Sequence, residues 1–471
     1  MPKDLRSFLS DYTRQHPEQV LCIDREVSYD QEIVALIFQL EKRQQYPILV
    51  FKHVRSASGL LSPHPVIINM FASRARCAEA FGSTFEKAGQ DYYRKTAQPA
   101  LPPVHVERAS APVKEVVLPH GQFNLLDFPA PLHHFMEPGP YFSGGYFTTY
   151  DLESWTDNSS LHRGWITAPD RVRVNLNPNN HSGLTMAGYQ RAGKRMPWAF
   201  WQGHHILACI GAETKMAYRK SHYDMMGVFL DEPLRLVPSE TLGDNFLVPA
   251  DAEFVVEGWL EDPNELFAEG PFGEYAGYVG GQVVTPEFHV TCVTHRRDAY
   301  WHAILNGHAD GATVGGLGVE GGLYNRLKQY IPSLQNVYFP MSGAGREHAY
   351  VQLKDPNPGE AREAIMAALP FDWRLKHVFV VDDDVDIYDD REVLWAVATR
   401  TQWDKDVMIF PDLRRNNLDP SQVEGQATKG GIDATVPRDR EFAVRNSVSV
   451  EVRLDDYVDS SRLAAVPVER L

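Results

Sequence analysis

The chain reads as an α/β (α+β) protein in three parts, a β-rich centre between two ends where helices and strands alternate. Three features carry this reading. Apolar residues at helical spacing are interleaved with short apolar strands at both ends, β-like runs broken by Gly, Pro and Asn fill the middle, and a proline-rich passage from Pro99 to Pro131 marks the first change of texture. With 471 residues, 43% of them hydrophobic, the chain has enough apolar surface for two or three domains. The expected division is 1–115, 116–320 and 321–471.

In the first part, Leu5, Phe8, Leu9 and Tyr12 predict a helix, and Ile33, Leu36, Ile37 and Leu40 predict a second after Ser28-x-x-Gln31, which reads as a capping box. Ile48 to Phe51 reads as a buried strand. In the centre, strands are expected at Phe142 to Tyr150, Gly164 to Val174, Phe254 to Leu260 and Phe288 to Thr294, forming a barrel or sandwich. One helix is embedded there, from Ser182 to Gly193, entered through the turn Asn177-Pro-Asn-Asn180. In the last part, Glu360 to Leu369 reads as a helix stopped by Pro370, Val378 to Val381 as a strand, and Arg391 to Thr399 as a helix capped by Asp389.

Composition excludes several classes. The net charge is −16 and no Lys/Arg-rich run interleaves with aromatics, so no nucleic-acid partner is expected. No apolar run approaches the roughly 20 residues of a membrane helix, and the Met-Pro-Lys-Asp start lacks a signal-peptide layout, so a cytoplasmic protein with no membrane partner is expected. Cys22, Cys77, Cys209 and Cys292 are scattered without C-x-x-C spacing, against both a disulfide framework and a thiolate zinc site.

The most informative stretch is Glu269-Gly-Pro-Phe-Gly-Glu274-Tyr-Ala-Gly-Tyr278. On a regular helix or strand these two acids would point to different faces, whereas Gly270, Pro271 and Gly273 impose a turn that brings them together. Converging carboxylates perturb each other's ionisation, so one can stay protonated and act as an acid near neutral pH. A polar surface loop is the plainer alternative.

Other signals are weaker. Gly316-Leu-Gly-Val-Glu-Gly321 matches G-x-G-x-x-G without a preceding strand. Asp382 to Asp386 lacks the spacing of a calcium loop and reads as a solvated strand end leading into a helix cap. His204 and His205 are adjacent, and on a strand they would face opposite ways.

Between 155 and 222 the chain carries Trp155-Thr-Asp-Asn158 with Arg163 five residues on, Asn179-Asn180-His181, and Pro197-Trp-Ala-Phe-Trp-Gln-Gly203. With Glu269 to Tyr278, Val393-Leu-Trp-Ala-Val-Ala-Thr-Arg400 and Lys429-Gly-Gly-Ile-Asp-Ala-Thr435, these segments resemble the UbiD family of decarboxylases, in family order over nearly the whole chain. The resemblance implies a central FMN-binding split β-barrel domain flanked by N-terminal and C-terminal α/β domains, the latter for oligomerisation, hence a homodimer or a multiple of it. It implies prenylated FMN as cofactor, supplied by a separate flavin prenyltransferase, with a divalent metal, usually Mn, on its phosphate and K nearby.

By the same resemblance Asn158 and His181 are metal ligands. His222 stands where the family has Glu, which makes the site more positive, with Glu213 a lesser substitute. Asn180 faces the cofactor region and Lys429 its phosphate. Glu274 is implied as the general acid that protonates carbon after CO2 leaves, and Arg163 with Glu269 as the pair that positions substrate and acid. Tyr275, His302, Asn306 and His308 are placed on the substrate side, and their polarity favours an aromatic or heteroaromatic acid. A flavin oxidoreductase on a split barrel and a non-catalytic cofactor-binding subunit are the alternatives.

Overall fold

The computed structural model describes residues 2–446, 450, 452–453 and 456–459. The expected third domain therefore ends, at 460–471, outside the described residues. Helix Leu5–Gln15 is closed by a capping box, in which Asp4 accepts the Ser7 amide and Ser7 answers at the Asp4 amide. It packs beside a four-stranded sheet in the order Val20–Ile23, Ile48–Phe51, Val66–Ile68, Trp301–His302. The strand Ile48–Phe51 is buried throughout, as its apolar run requires. The last strand of this sheet comes from the far end of the central segment and pairs in parallel with Val66–Ile68.

Helix Glu32–Glu41 forms, but not through the expected box. Gln31 is its N-cap in a left-handed conformation with no side-chain bond to the helix amides, and the Glu32 carboxylate takes the Ser28 amide at 2.8 Å.

The centre is a ten-stranded sheet. Two of the expected strands are each divided. Tyr141–Phe142 and Tyr146–Tyr150 part at Gly144 and Gly145, where a Cβ on Gly144 would meet the His302 carbonyl oxygen at 2.6 Å, and Gly164–Ala168 and Arg171–Val174 form a hairpin. Phe254–Leu260 is as expected, and Phe288 to Thr294 belongs to a longer strand, Val283–His295. That strand pairs with Phe254–Leu260, Arg171–Val174, Leu266–Glu269 and Val116–Pro119, so the sheet forks along it. The embedded helix is His181–Ala192, with Asn180 accepting the Gly183 amide at 2.8 Å and Gly193 closing it at φ +61°.

The last part is a five-stranded sheet ordered Leu334–Tyr338, His348–Leu353, His377–Asp382, Gln426–Asp433, Val407–Arg414, with helices Glu360–Ala368 and Asp390–Arg400. The Asp382 to Asp386 run is the expected strand end leading into a helix capped by Asp389, with Asp383, Asp384 and Asp386 exposed; Asp382 alone among its acids is buried, paired with Arg400 and Arg438. The long helix Ala309–Lys328 joins the parts, with Val314 and Leu317 in the core under the N-terminal elements and Val319, Leu323 and Leu327 in the C-terminal core. Gly316 to Gly321 lie inside this helix, so the G-x-G-x-x-G match has no strand-turn-helix setting. His204 is buried, and His205 caps helix Ile206–Ala212 through the Leu207 amide. Among the described residues no helix is long and apolar enough to cross a membrane.

Candidate active site

Arg163 sits in the link between strands Asp157–Leu161 and Gly164–Ala168, and Glu269 ends the strand Leu266–Glu269. Gly270, at φ +84°, turns the chain into a short hairpin, Phe272–Gly273 with Val279–Gly280, which carries Glu274 at its tip. The sequence turn thus brings both acids onto one guanidinium. Arg163 grips Glu269 with two prongs, Nε to Oε1 at 3.0 Å and Nη2 to Oε2 at 2.6 Å, while its Nη1 reaches Oε1 of Glu274. Arg163 therefore bridges the two carboxylates rather than pairing with Glu269 alone. The Tyr141 hydroxyl adds a bond to Glu269 at 3.2 Å, and the Phe272 ring lies 4.9 Å beneath the guanidinium.

One cation between a buried and a half-buried carboxylate leaves a net negative charge unless one acid holds a proton. Glu274 is the acid so disposed. Burial pushes its carboxyl up, the Arg163 charge and hydrogen bond pull it down, the Glu269 charge pushes it up again, and the balance is upward.

Groups remote in sequence fix this hairpin. Glu137, fully buried, accepts the Gly273 amide at 3.1 Å and the His134 Nδ1 proton at 2.8 Å on one oxygen, and the His133 amide at 3.0 Å on the other. Asn306 Nδ2 donates to the Gly273 carbonyl at 3.2 Å and lies 3.5 Å from Oε2 of Glu274. Both backbone groups of the residue before Glu274 are thereby held. A side chain at 273 would collide with the His134 ring, so glycine is required there by close approach.

A second group of expected residues converges at two helix starts. His181 and His222 are the first residues of helices His181–Ala192 and His222–Leu230, with ring centroids 6.3 Å apart. Asn158, on the neighbouring strand, donates from Nδ2 to Ser182 at 2.9 Å. Asp157 ties the second helix to that strand, accepting from the Ser221 hydroxyl and the His222 and Tyr223 amides. His222 is buried, its Nδ1 has no partner, and burial followed by the His181 charge lowers it to about 4, so it presents a neutral imidazole. Among the described residues no three His, Cys, Asp or Glu side chains gather to hold a metal. Two imidazoles and an amide are present instead, a neutral set that fits a divalent ion whose remaining oxygen donors come from a bound anion. Glu213 accepts the Leu161 amide at 2.8 Å.

Asn180 and Lys429 line one cavity of about 720 Å³ at the junction of the central and C-terminal parts, with Lys215, Asp372, Trp373, Arg374 and Arg414. Burial, then Arg415, lowers Lys429 to about 8, and burial, then Arg374, does the same for Lys215. Only Asp372 offsets these cations in the lining, and it is held by Arg374 at 2.6 and 2.9 Å. This end of the site suits an anion.

Of the expected substrate-side residues, Tyr275 follows Glu274 with its hydroxyl buried and without a partner. His302 is buried with neither ring nitrogen paired, and burial lowers it to about 4. His308 is instead drawn toward helix Glu32–Glu41, where Nδ1 meets Glu41 at 2.5 Å and the ring packs 4.4 Å from Phe38. Sequence reasoning missed Glu137, Tyr141, Lys215 and Arg374; the polar cluster His133-His-x-x-Glu137 just after the proline-rich passage was the available signal for the first.

Family models match along the chain in order: the 3-octaprenyl-4-hydroxybenzoate carboxy-lyase N-terminal domain at 13–96, the Rift-related domain at 104–309 and the C-terminal domain at 312–434. The anhydromevalonate phosphate decarboxylase of Methanothermobacter thermautotrophicus is 31% identical over 67% of this chain and 74% of its own length. The gallate decarboxylase of Lactiplantibacillus plantarum is 26% identical over 93% of this chain and 95% of its own. Among solved structures, the UbiD-class enzyme HmfF of Pelotomaculum thermopropionicum in complex with FMN superposes with a TM-score of 0.88 at 31% identity, covering 97% of this chain and 100% of that one. The 3,4-dihydroxybenzoic acid decarboxylase of Enterobacter cloacae gives 0.88 at 25% identity, over 98% and 99%. The domain order and the fold show that this chain is a member of the UbiD family of carboxy-lyases.

Proposed function

We propose that the protein is a prenylated-FMN-dependent, reversible non-oxidative decarboxylase of an aromatic or heteroaromatic acid, with Glu274 as proton donor and Arg163 and Glu269 as its positioning pair. The observation that carries this is the single guanidinium shared by two carboxylates, the buried Glu269 and the half-buried Glu274, the second biased toward its protonated form. In support, HmfF has been solved with FMN and, in an evolved dimeric form, with prenylated FMN.

Asn180, Lys215 and Lys429 would hold the cofactor phosphate, and Asn158, His181 and His222 a divalent metal, Mn by family habit, upon it, with K nearby. Once bound, the cofactor supplies the electron sink for the pair left when CO2 departs. Arg163 holds Glu269 in a two-pronged contact, and the hairpin holds Glu274 where its carboxyl proton can pass to the carbon that has lost CO2. Asn306 and Glu137 keep that hairpin in place, and Tyr275 and His302 offer polar contacts to the ring. A homodimer or a multiple of it in the cytoplasm, fed by a flavin prenyltransferase, completes the reading.

The test is co-expression with a flavin prenyltransferase, followed by the mass and absorption spectrum of the bound flavin and a carboxylic-acid panel assayed for CO2 release. A prenylated flavin and turnover of an aromatic acid are expected. Plain FMN with no CO2 release from any acid would sink the proposal.

A further inference from the structure

The long helix Ala309–Lys328 starts without a side-chain cap of its own, His308 standing at its N-cap in extended conformation. The carboxylate that this position usually supplies comes instead from Glu41, the last residue of helix Glu32–Glu41 and 267 positions away from His308. Oε1 of Glu41 accepts the Ala309 amide at 3.2 Å, and Oε2 takes the His308 Nδ1 proton at 2.5 Å. The acid thus meets the positive end of a 20-residue helix, where negative charge is favoured. The side chains of Glu41 and His308 are 20% and 21% exposed, so water screens this contact less than it would a surface pair.

The segment just before that helix supports the acid turn. Asn306 donates to the Gly273 carbonyl and lies 3.5 Å from Oε2 of Glu274. Gly307, at φ +76°, approaches so closely that a Cβ there would meet the Glu274 carbonyl oxygen at 2.6 Å. His308 comes next, and Glu41 fixes it. The second support of the turn is Glu137 with His134, whose ring covers Gly273. Phe38, on the same helix face as Glu41, packs 4.4 Å from the His308 ring and 6.4 Å from that of His134. The last turn of the N-terminal helix therefore touches both supports of Glu274.

We propose that Glu41, backed by Phe38, is a positioning residue for proton delivery: by fixing His308 and the start of the long helix, it sets where Asn306 and Gly307 hold Glu274. This rests on the decarboxylase reading with Glu274 as donor, and it brings the N-terminal part into the reaction.

Flavin-loaded Glu41→Ala is compared with the wild type on an aromatic acid that the wild type turns over. The value of kcat should fall on the order of tenfold, with KM and flavin per protomer unchanged, because a misplaced donor slows the chemical step without weakening binding. Adding Asn306→Ala to Glu41→Ala should cost little beyond Asn306→Ala alone, since both act through one run of contacts. Hydrogen exchange over 272–280 needs no turnover. There the Glu274 amide, bonded to the Tyr278 carbonyl, and the Gly277 amide, bonded to the Glu274 carbonyl, should exchange faster in Glu41→Ala. Glu41→Gln keeps an acceptor for the Ala309 amide and should fall between the two; it is the variant to read if Glu41→Ala does not fold. Exchange identical to the wild type would overturn the proposal, as would an unchanged kcat or a loss of kcat matched by loss of flavin. If the wild type released CO2 from no acid, the decarboxylase reading would fall, and the exchange rate would still decide whether Glu41 holds the Glu274 turn.

Discussion

Around Arg163 each charged group already has its partner within the protein, whereas at the helix starts and in the neighbouring cavity polar atoms stand unpaired. Glu269 is gripped twice and supported by Tyr141, and Glu274 is held by Arg163 and approached by Asn306. By contrast, His222 Nδ1 has no partner, and the cations Lys215, Arg374, Arg414 and Lys429 surround an open space with Asp372 as the lone acid in the lining. The first region is preorganised, which is what a proton transfer demands, since donors that must first reorient lose rate. The second is left for an anion to complete, and its desolvation cost is offset only on binding.

Damage to the two regions should therefore read out differently. The largest effect is expected from Glu274→Gln, which should keep the bound flavin and lose turnover by ~10²–10⁴, the range for a removed general acid, as measured by steady-state CO2 release. Retained turnover would show that the acid turn is not where the proton comes from. Next, Arg163→Met should destabilise the fold by about 3–5 kcal/mol, because the fully buried Glu269 loses its cation; a urea midpoint unchanged from the wild type would break the comparison.

His222→Ala acts on the other region, and should lower metal and flavin occupancy by about tenfold or more with little change in urea stability. Unchanged metal content by elemental analysis would remove His222 from the ligand set.

The smallest effect concerns pH. Glu274 must be protonated to donate, and its carboxyl is raised by burial, so activity is held below that raised value and lost as pH rises through it. Arg163 opposes the rise. In an Arg163→Lys variant, with the fork reduced to a point charge, the basic limb of the rate profile should move upward; a downward move would contradict the assignment.

Much of the fold was legible because its signals are local. The helix expected from Ser182 to Gly193 came out one residue earlier at each end, as His181–Ala192, and Leu5, Phe8, Leu9 and Tyr12 all fall in the helix Leu5–Gln15. One misjudged strand is divided at Gly144 and Gly145, where close approach to another segment is unseen in the sequence, and the other at the hairpin turn Pro169-Asp170, whose turn residues were the local signal passed over. The Ser28-x-x-Gln31 box failed because Gln31 adopts a left-handed conformation that no propensity favours. In the site, Arg163, Glu269 and Glu274 could be picked out from a motif, but Glu137 meets Gly273 from 136 positions away. The bridge from Arg163 to both acids, and the diversion of His308 to Glu41, are products of packing between distant segments.

The strand Trp301–His302 in the first sheet has a consequence for how the chain is made. That sheet has a vacant edge beside Val66–Ile68 until residue 302 has been synthesised, so the N-terminal segment must wait, with a strand unpaired, while the central sheet is laid down. A fragment ending near residue 115 would present that edge permanently to other chains. The N-terminal part is first in order of synthesis and among the last to be finished.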